Sequence, residues 1–246
     1  MPVTIKGSGG GSVTLDAGTA AADTTLTLPN TSGTILQSGT AVTVAQGGTG
    51  AATLTANGAL IGNGTSAVTA VSPTTTGNVL FTTDGSTWSA TQKITQGTAV
   101  ASTSGTSIDF TGIPSWVKRI TVMLNNVSTN GTSALVCQIG TSGGIVNSGY
   151  NSGASNIAAA VVSTAYANGF GLNSGSVATE SLSGVITIAY MGSNLWSCGS
   201  FIGSSFPGTR VGGGSVTLSG TLDRVRIATN NGTDTFDAGS INIMYE

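Results

Sequence analysis

Histidine is absent from this chain of 246 residues, so Ser–His triads, Cys–His pairs and histidine-containing zinc sites are all excluded. Charge is almost as scarce. Only 7% of residues are charged, against about 25% in ordinary globular domains. Solubility must come from Ser, Thr, Asn, Gln and backbone amides. The net charge is −2, and no basic run exceeds Lys118-Arg119, which removes the usual electrostatic basis for nucleic-acid binding. Two cysteines are too few for a disulfide framework. Cys137 in Ala134-Leu-Val-Cys-Gln-Ile139 and Cys198 in Leu195-Trp-Ser-Cys-Gly199 read as small buried hydrophobes, and they pair only if the fold brings their strands together. No basic start leads into an apolar run, so no export signal is expected, and a reducing compartment favours free thiols. No stretch approaches the roughly 20 apolar residues of a membrane span.

Good helix formers are also in short supply. Gly, Thr, Ser, Asn and Val outnumber Glu, Lys, Gln and Leu nearly everywhere, and the 38 glycines follow no collagen triplet. The expected class is all-β. Residues 1–45 carry short alternating stretches, in which Val13, Leu15, Leu26, Leu28 and Ile35 interleave with Thr, Ser or Gly, and Pro29 and Gly33 mark a turn. Residues 46–95 join fragments of three to five β-prone residues through Asn57-Gly58, Asn63-Gly64 and Asp84-Gly85, dipeptides that supply positive φ. Apolar anchors recur there at Leu54, Leu60, Ile61, Val68, Val71, Val79, Leu80, Phe81 and Trp88, for which a plain Gly/Ser linker has no use. So few anchors do not offset the entropy of ordering the segment, and copies of the chain are expected to wind together into a slender shaft.

Residues 96–246 read as a separate domain. Alternation such as Ile120, Val122, Leu124 or Ile241, Ile243, Tyr245 predicts strands near 107–110, 118–127, 134–139, 158–166, 184–191, 195–202, 215–218, 224–229 and 240–245. That count in about 150 residues predicts a β-sandwich, jelly-roll-like in order. Gly212-Gly-Gly214 reads as a turn, since no Gly-Lys-Ser/Thr phosphate loop follows it.

Three stretches resemble modules of tailed-bacteriophage fibre proteins. Val44-Ala-Gln-Gly-Gly-Thr-Gly50, continuing through Asn57-Gly-Ala-Leu-Ile-Gly-Asn-Gly-Thr65 to Asp84-Gly-Ser-Thr-Trp88, is similar to a tail-fibre module. Val13-Thr-Leu15, Leu26-Thr-Leu-Pro29 and Gly33-Thr-Ile-Leu36 resemble an N-terminal segment of phage structural proteins. Asp109-Phe-Thr-Gly-Ile-Pro-Ser-Trp-Val-Lys-Arg-Ile-Thr-Val-Met123 with Val127-Ser-Thr-Asn-Gly-Thr132 resembles a C-terminal head domain. The resemblance implies a homotrimeric virion fibre, made in the host cytoplasm and displayed on the particle. Its residues 1–45 would dock to other virion proteins, such as a tail or baseplate adaptor, and its head would point outward. Tail fibre and head, collar or decoration fibre both remain open.

Enzyme chemistry finds little footing. Of the nine acidic residues, only Asp234 and Asp237 lie close in sequence, in Asn230-Asn-Gly-Thr-Asp-Thr-Phe-Asp237. That stretch reads as a hairpin turn, with a calcium loop as the sharper alternative lacking EF-hand spacing. No cofactor or metal is expected. Binding is left, with a host-surface glycan or protein as the partner and saccharide favoured. Sugar rings stack on Trp or Tyr while Asn, Asp and Ser meet hydroxyls. Tyr150, Asn151, Tyr166, Asn168 and Trp196 are the candidate receptor contacts, with Trp116, Asn147, Asn156 and Asn173 around them. Trp116 and Trp196 also suit a core, since their neighbours alternate. Tyr150, flanked by polar residues and Gly, is the surface candidate.

Overall fold

The computed structural model describes residues 3–15, 42–74, 78–82 and 84–246. It is all-β: among the described residues the only helix is a single 3-10 turn, Val44–Gln46, closed by Gly47 in the left-handed region at φ 82°. Among the described residues no helix is long and apolar enough to cross a membrane. Two compact units emerge, Met1–Leu54 with Gly62–Thr69, and Thr55–Ile61 with Ala70–Glu246.

Short antiparallel ribbons dominate the first 95 residues. Strands β1 (Val3–Lys6) and β2 (Ser12–Leu15) pair across the glycine-rich reversal. Strands β3 (Ala59–Ile61) and β4 (Thr69–Val71) form a second pair, β5 (Asn78–Thr82) and β6 (Trp88–Gln92) a third. Gly64 and Gly85 take positive φ as expected, whereas at Asn57-Gly58 it is Asn57 that does so, at 59°. The strands expected around Leu26 and Ile35 lie outside the described residues.

The rest of the chain builds two larger sheets. In order come β7 (Thr95–Gln96), β8 (Val100–Ala101), β9 (Ser107–Thr111), β10 (Arg119–Thr129), β11 (Leu135–Thr141), β12 (Gly144–Ile145) and β13 (Asn151–Ile157). They are followed by β14 (Val161–Tyr166), β15 (Phe170–Gly171), β16 (Leu182–Gly192), β17 (Leu195–Ser204), β18 (Thr209–Thr217), β19 (Arg224–Thr229) and β20 (Phe236–Tyr245). The nine-stranded sheet runs β14-β13-β18-β17-β16-β10-β20-β7, with β8 also on β20. The five-stranded sheet runs β12-β11-β19-β9, with β15 also on β11. Alternating residues of both sheets enter one core, among them Ile120, Val122, Ile186 and Ile243 from the larger and Ile108, Cys137, Ile139 and Ile227 from the smaller. The period-2 alternation thus reports which face is inward. The chain crosses between sheets repeatedly. It differs from jelly-roll order in keeping β16, β17 and β18 side by side in one sheet.

Gly212-Gly-Gly214 is not a turn. It lies inside β18, paired with Ser200, Gly199 and Cys198 on one side and Ala154, Gly153 and Ser152 on the other. A Cβ on Gly212 would meet the Gly171 carbonyl oxygen at 2.0 Å, and one on Gly214 the Asn151 oxygen at 2.4 Å. The glycines are strand residues because other backbone passes too close for a side chain. A second correction concerns 230–237. The segment reverses direction, but it connects β19 of the smaller sheet to β20 of the larger, so it is an inter-sheet corner and not a hairpin.

Candidate functional site

The outer face of the smaller sheet carries a cleft of about 290 Å³. Its floor is set by register. Val136 of β11 lies opposite Ala228 of β19, which lies opposite Ser107 of β9, while Gln138, Arg226 and Asp109 form the next row. Val136 and Ala228 are buried with Ala134, Ala154 and Tyr166 in a small satellite cluster, which makes that part of the floor apolar and firm. Asn147, Asn168 and the corner Asn230-Asn231-Gly232 form the walls.

Each wall is held by hydrogen bonds. Gln138, 8% exposed, donates Nε2 to the Asn168 carbonyl at 2.7 Å, and Asn168 donates Nδ2 to Asn230 Oδ1 at 2.8 Å. The corner is an Asx turn in which Asn231 Oδ1 accepts the N–H groups of Thr233 and Asp234. Asp234 ties the corner to the segment before β11 by accepting from the Ser133 N–H at 2.8 Å, and it also accepts from Asn231 Nδ2 at 2.8 Å within the corner. The Asn231 amide first, then the Ser133 N–H, hold the Asp234 carboxyl below its ordinary pKa. Arg226 is fixed by a fork–fork pair, Nε to Asp109 Oδ1 at 2.6 Å and the terminal amine to Oδ2 at 2.8 Å. Those bonds raise the guanidinium above its usual value. The cleft therefore offers amide donors and acceptors, hydroxyls of Thr106, Ser107 and Thr229, one paired cation and an apolar floor. Such a set suits a neutral, hydroxyl-rich ligand. Among the described residues no group of three His, Cys, Asp or Glu side chains gathers to hold a metal.

The sequence-derived candidates scatter. Asn168 and Asn147 line the cleft together. Tyr166 is buried and does not line the cleft; it gives its hydroxyl hydrogen to the Asn173 carbonyl at 2.7 Å and shares a cluster with the floor residues Val136 and Ala228. Asn173 is itself fully buried, accepting from the Leu135 N–H, and Asn156 is committed to Ser174 and Gly175. Asn151 opens β13 on the nine-stranded sheet, exposed and outside the cleft. Trp196 is a core residue, 5.1 Å from the Tyr190 ring, and Trp116 packs partly buried against the core, 6.0 Å from Tyr245.

Tyr150 is the clearest correction. It is only 5% exposed, packed edge-on against Phe170 at 4.9 Å, and its hydroxyl accepts from the Ile139 N–H at 2.8 Å. Its polar neighbours mark the start of β13 and not a free loop, because that strand pairs with both β14 and β18. Gln138, Arg226, Asn230 and Asn231 were not foreseen as site residues. Gln138 is the one polar residue in the apolar run 134–139, which is the signal that marks it. Arg226 and the Asn230-Asn231 pair carry no such mark, since only the sheet register brings them beside it.

No family model, curated protein or solved structure matches this chain.

Proposed function

We propose that this chain is a virion fibre of a tailed bacteriophage, a tail fibre whose C-terminal head binds a saccharide on the host surface through the amide-lined cleft. The observation that carries the reading is the convergence of Gln138, Asn147, Asn168, Asn230 and Asn231 over the Val136–Ala228 floor. Amides present both donors and acceptors to sugar hydroxyls, while an apolar floor takes the C–H face of a ring. The fibre part of the reading rests on the sequence modules described above. It is supported by the exposure of the anchors in the leading segment: Leu60, Val79, Leu80 and Trp88 remain 41–47% exposed in one chain. Three copies winding together would cover them, and three heads would add avidity to weak single sites. No catalytic step, cofactor or metal belongs to this reading.

A purely structural fibre of the head, collar or capsid surface is the second reading. It is favoured by the way Gln138 and Asn168 each commit one amide hydrogen within the protein. Adsorption competition separates the two. Purified protein should block phage adsorption to the host, and an Asn147→Ala, Asn168→Ala double variant should compete roughly tenfold less well, two lost hydrogen bonds of about 0.5–1.5 kcal/mol each. No competition by the native protein points to the structural reading. Full competition by the folded variant removes the cleft.

A further inference from the structure

The nine-stranded sheet turns residues such as Val122, Ile186, Ile202 and Ala154 inward, where they are buried. Their neighbours along each strand point the other way, and register aligns them into rows across six strands. Met123, Val185, Phe201, Val211, Ser155 and Ser163 form one row, running from β10 to β14. Ser183, Gly203, Thr209, Ile157 and Val161 flank it on one side. Thr121, Thr187, Gly199, Gly213, Gly153 and Ala165 flank it on the other. None of these residues is charged.

An antiparallel sheet with one face in water alternates apolar with polar residues, whereas a strand covered on both faces carries apolar residues on both. The outer face follows the second pattern. Phe201 is 62% exposed, Val161 64%, Val185 47% and Ile157 42%. The β13–β14 reversal extends the patch, since Ile157-Ala-Ala-Ala-Val-Val162 is six apolar residues in succession, all exposed. The glycines beside the Phe201 row are a separate anomaly. A Cβ on Gly199 would meet no atom of the described residues within 4 Å, and one on Gly153 only the Thr164 oxygen at an ordinary 3.6 Å. Packing within the chain requires neither glycine, unlike Gly212 and Gly214 on the inward side of β18. A strand-interior glycine costs about 0.5–1 kcal/mol against alanine and marks the close approach of another backbone. Large apolar side chains thus stand beside a shallow groove that has none.

We infer that this face joins copies of the chain at the head, with the Val185–Phe201–Val211 row of one copy seated in the Gly199–Gly213–Gly153 groove of a second. The area agrees. Strands lie about 4.8 Å apart and same-face residues about 6.8 Å apart, so three rows on six strands cover roughly 600 Å². A specific interface buries about 1,200–2,000 Å² over both partners, which is about 600–1,000 Å² on each. Charge agrees as well: interface cores are depleted in charged residues, and an uncharged face finds its complement in a second such face. A glycan suits it poorly, because Val185, Phe201 and Val211 offer no side-chain donor or acceptor to hydroxyls. The inference rests on the fibre reading in that copies associate. That reading puts their contact in residues 1–95, and the outer face adds one in the head.

Hydroxyl-radical footprinting of the purified full-length protein reads the Phe201 side chain by mass spectrometry, and sedimentation equilibrium gives the number of copies. The expected result is a discrete oligomer in which Phe201 labels at under about a tenth of the intrinsic reactivity of phenylalanine, a roughly sixfold loss against the 62% that one chain leaves open. Gly199→Val, which its own chain accommodates, fills the groove and should restore the labelling. Gly153→Val is the second such variant, and circular dichroism checks that each is folded. If neither folds, the native footprint decides. An oligomer whose Phe201 labels without protection overturns the inference and leaves the fibre reading standing, its copies joined elsewhere. Protection that survives a folded glycine variant overturns the inference too. A single-chain particle overturns both readings, and protection of Phe201 in it would assign the face to the chain's own leading segment.

Discussion

The Tyr150 hydroxyl and the Ile139 backbone form a two-way contact across the core, accepting from the Ile139 N–H at 2.8 Å and lying 3.2 Å from its carbonyl oxygen. The same hydroxyl lies 3.0 Å from the Val146 carbonyl. It therefore closes the short β11–β12 reversal, where Val146 N–H also returns to the Ile139 carbonyl. Burial raises the phenol pKa well above its ordinary value, keeping the hydroxyl protonated and able to donate.

Tyr150→Phe should accordingly destabilise the head by about 1–3 kcal/mol, since it strands the Ile139 N–H in the core. For a unit of this size each kcal/mol moves Tm by about 2–4 °C. Thermal melting followed by circular dichroism checks the shift. Competition for adsorption by the folded variant should match the native protein, because Tyr150 lies outside the cleft.

Glu180 and Arg210 are a buried ion pair at 2.6 Å, with side chains 2% and 7% exposed. Ser204 and Ser176 donate to the carboxylate as well. Glu180→Ala leaves a guanidinium uncompensated in the interior and should cost about 3–5 kcal/mol. Replacing both partners, Glu180→Leu with Arg210→Met, should recover most of that loss. Chemical denaturation of the two variants beside the native protein gives the comparison. A double variant as unstable as the single one would show that the pair contributes more than compensation of charge.

Acid should loosen two turns, each held by a carboxylate that protonates only below the ordinary carboxylate range. The Thr87 and Ser86 backbone N–H groups, then the Thr82 hydroxyl, hold the Asp84 carboxyl far below its ordinary value, and Asp234 is lowered by Asn231 and Ser133. A folded-state pKa below the unfolded one means stability is fully present above roughly pH 4 and is lost as pH falls toward the folded values. Asp84→Asn and Asp234→Asn should each flatten the acid limb of stability against pH. Denaturation midpoints measured from neutral pH down to about pH 2 test this, and an unchanged acid limb in both variants would remove the two carboxylates as its source.

Cys137 and Cys198 are free thiols facing the same core from opposite sheets. Burial pushes the Cys198 thiol up to about 12 and raises Cys137 well above its usual value, with Cys198 adding to the latter. Neither should react with a disulfide reagent in the native protein, and both should react on unfolding. Counting released thiolate with and without denaturant checks this; a zero count in denaturant would mean the pair had oxidised.

Alternation carried far along the chain. The rows of Ile120, Val122, Leu124 and of Ile241, Ile243 face the core as their spacing predicts, because a strand's side chains alternate whatever its partners are. All-β character and the strand-dense region 96–246 were legible for the same local reason, whereas the sequence left the pairing of Cys137 and Cys198 open and the fold leaves both thiols free. Tertiary structure alone decided the rest. Gly212–Gly214 become strand because Gly171 and Asn151 crowd them, and Tyr150 turns inward because Ile139 lies within reach of its hydroxyl. The cleft exists because register sets Val136 beside Ala228 and Gln138 beside Arg226, residues about 90 positions apart in sequence. Local composition specifies which residues can be strands and which face is apolar. Which strands become neighbours, and so which polar side chains converge, depends on contacts between distant segments that no window of sequence contains.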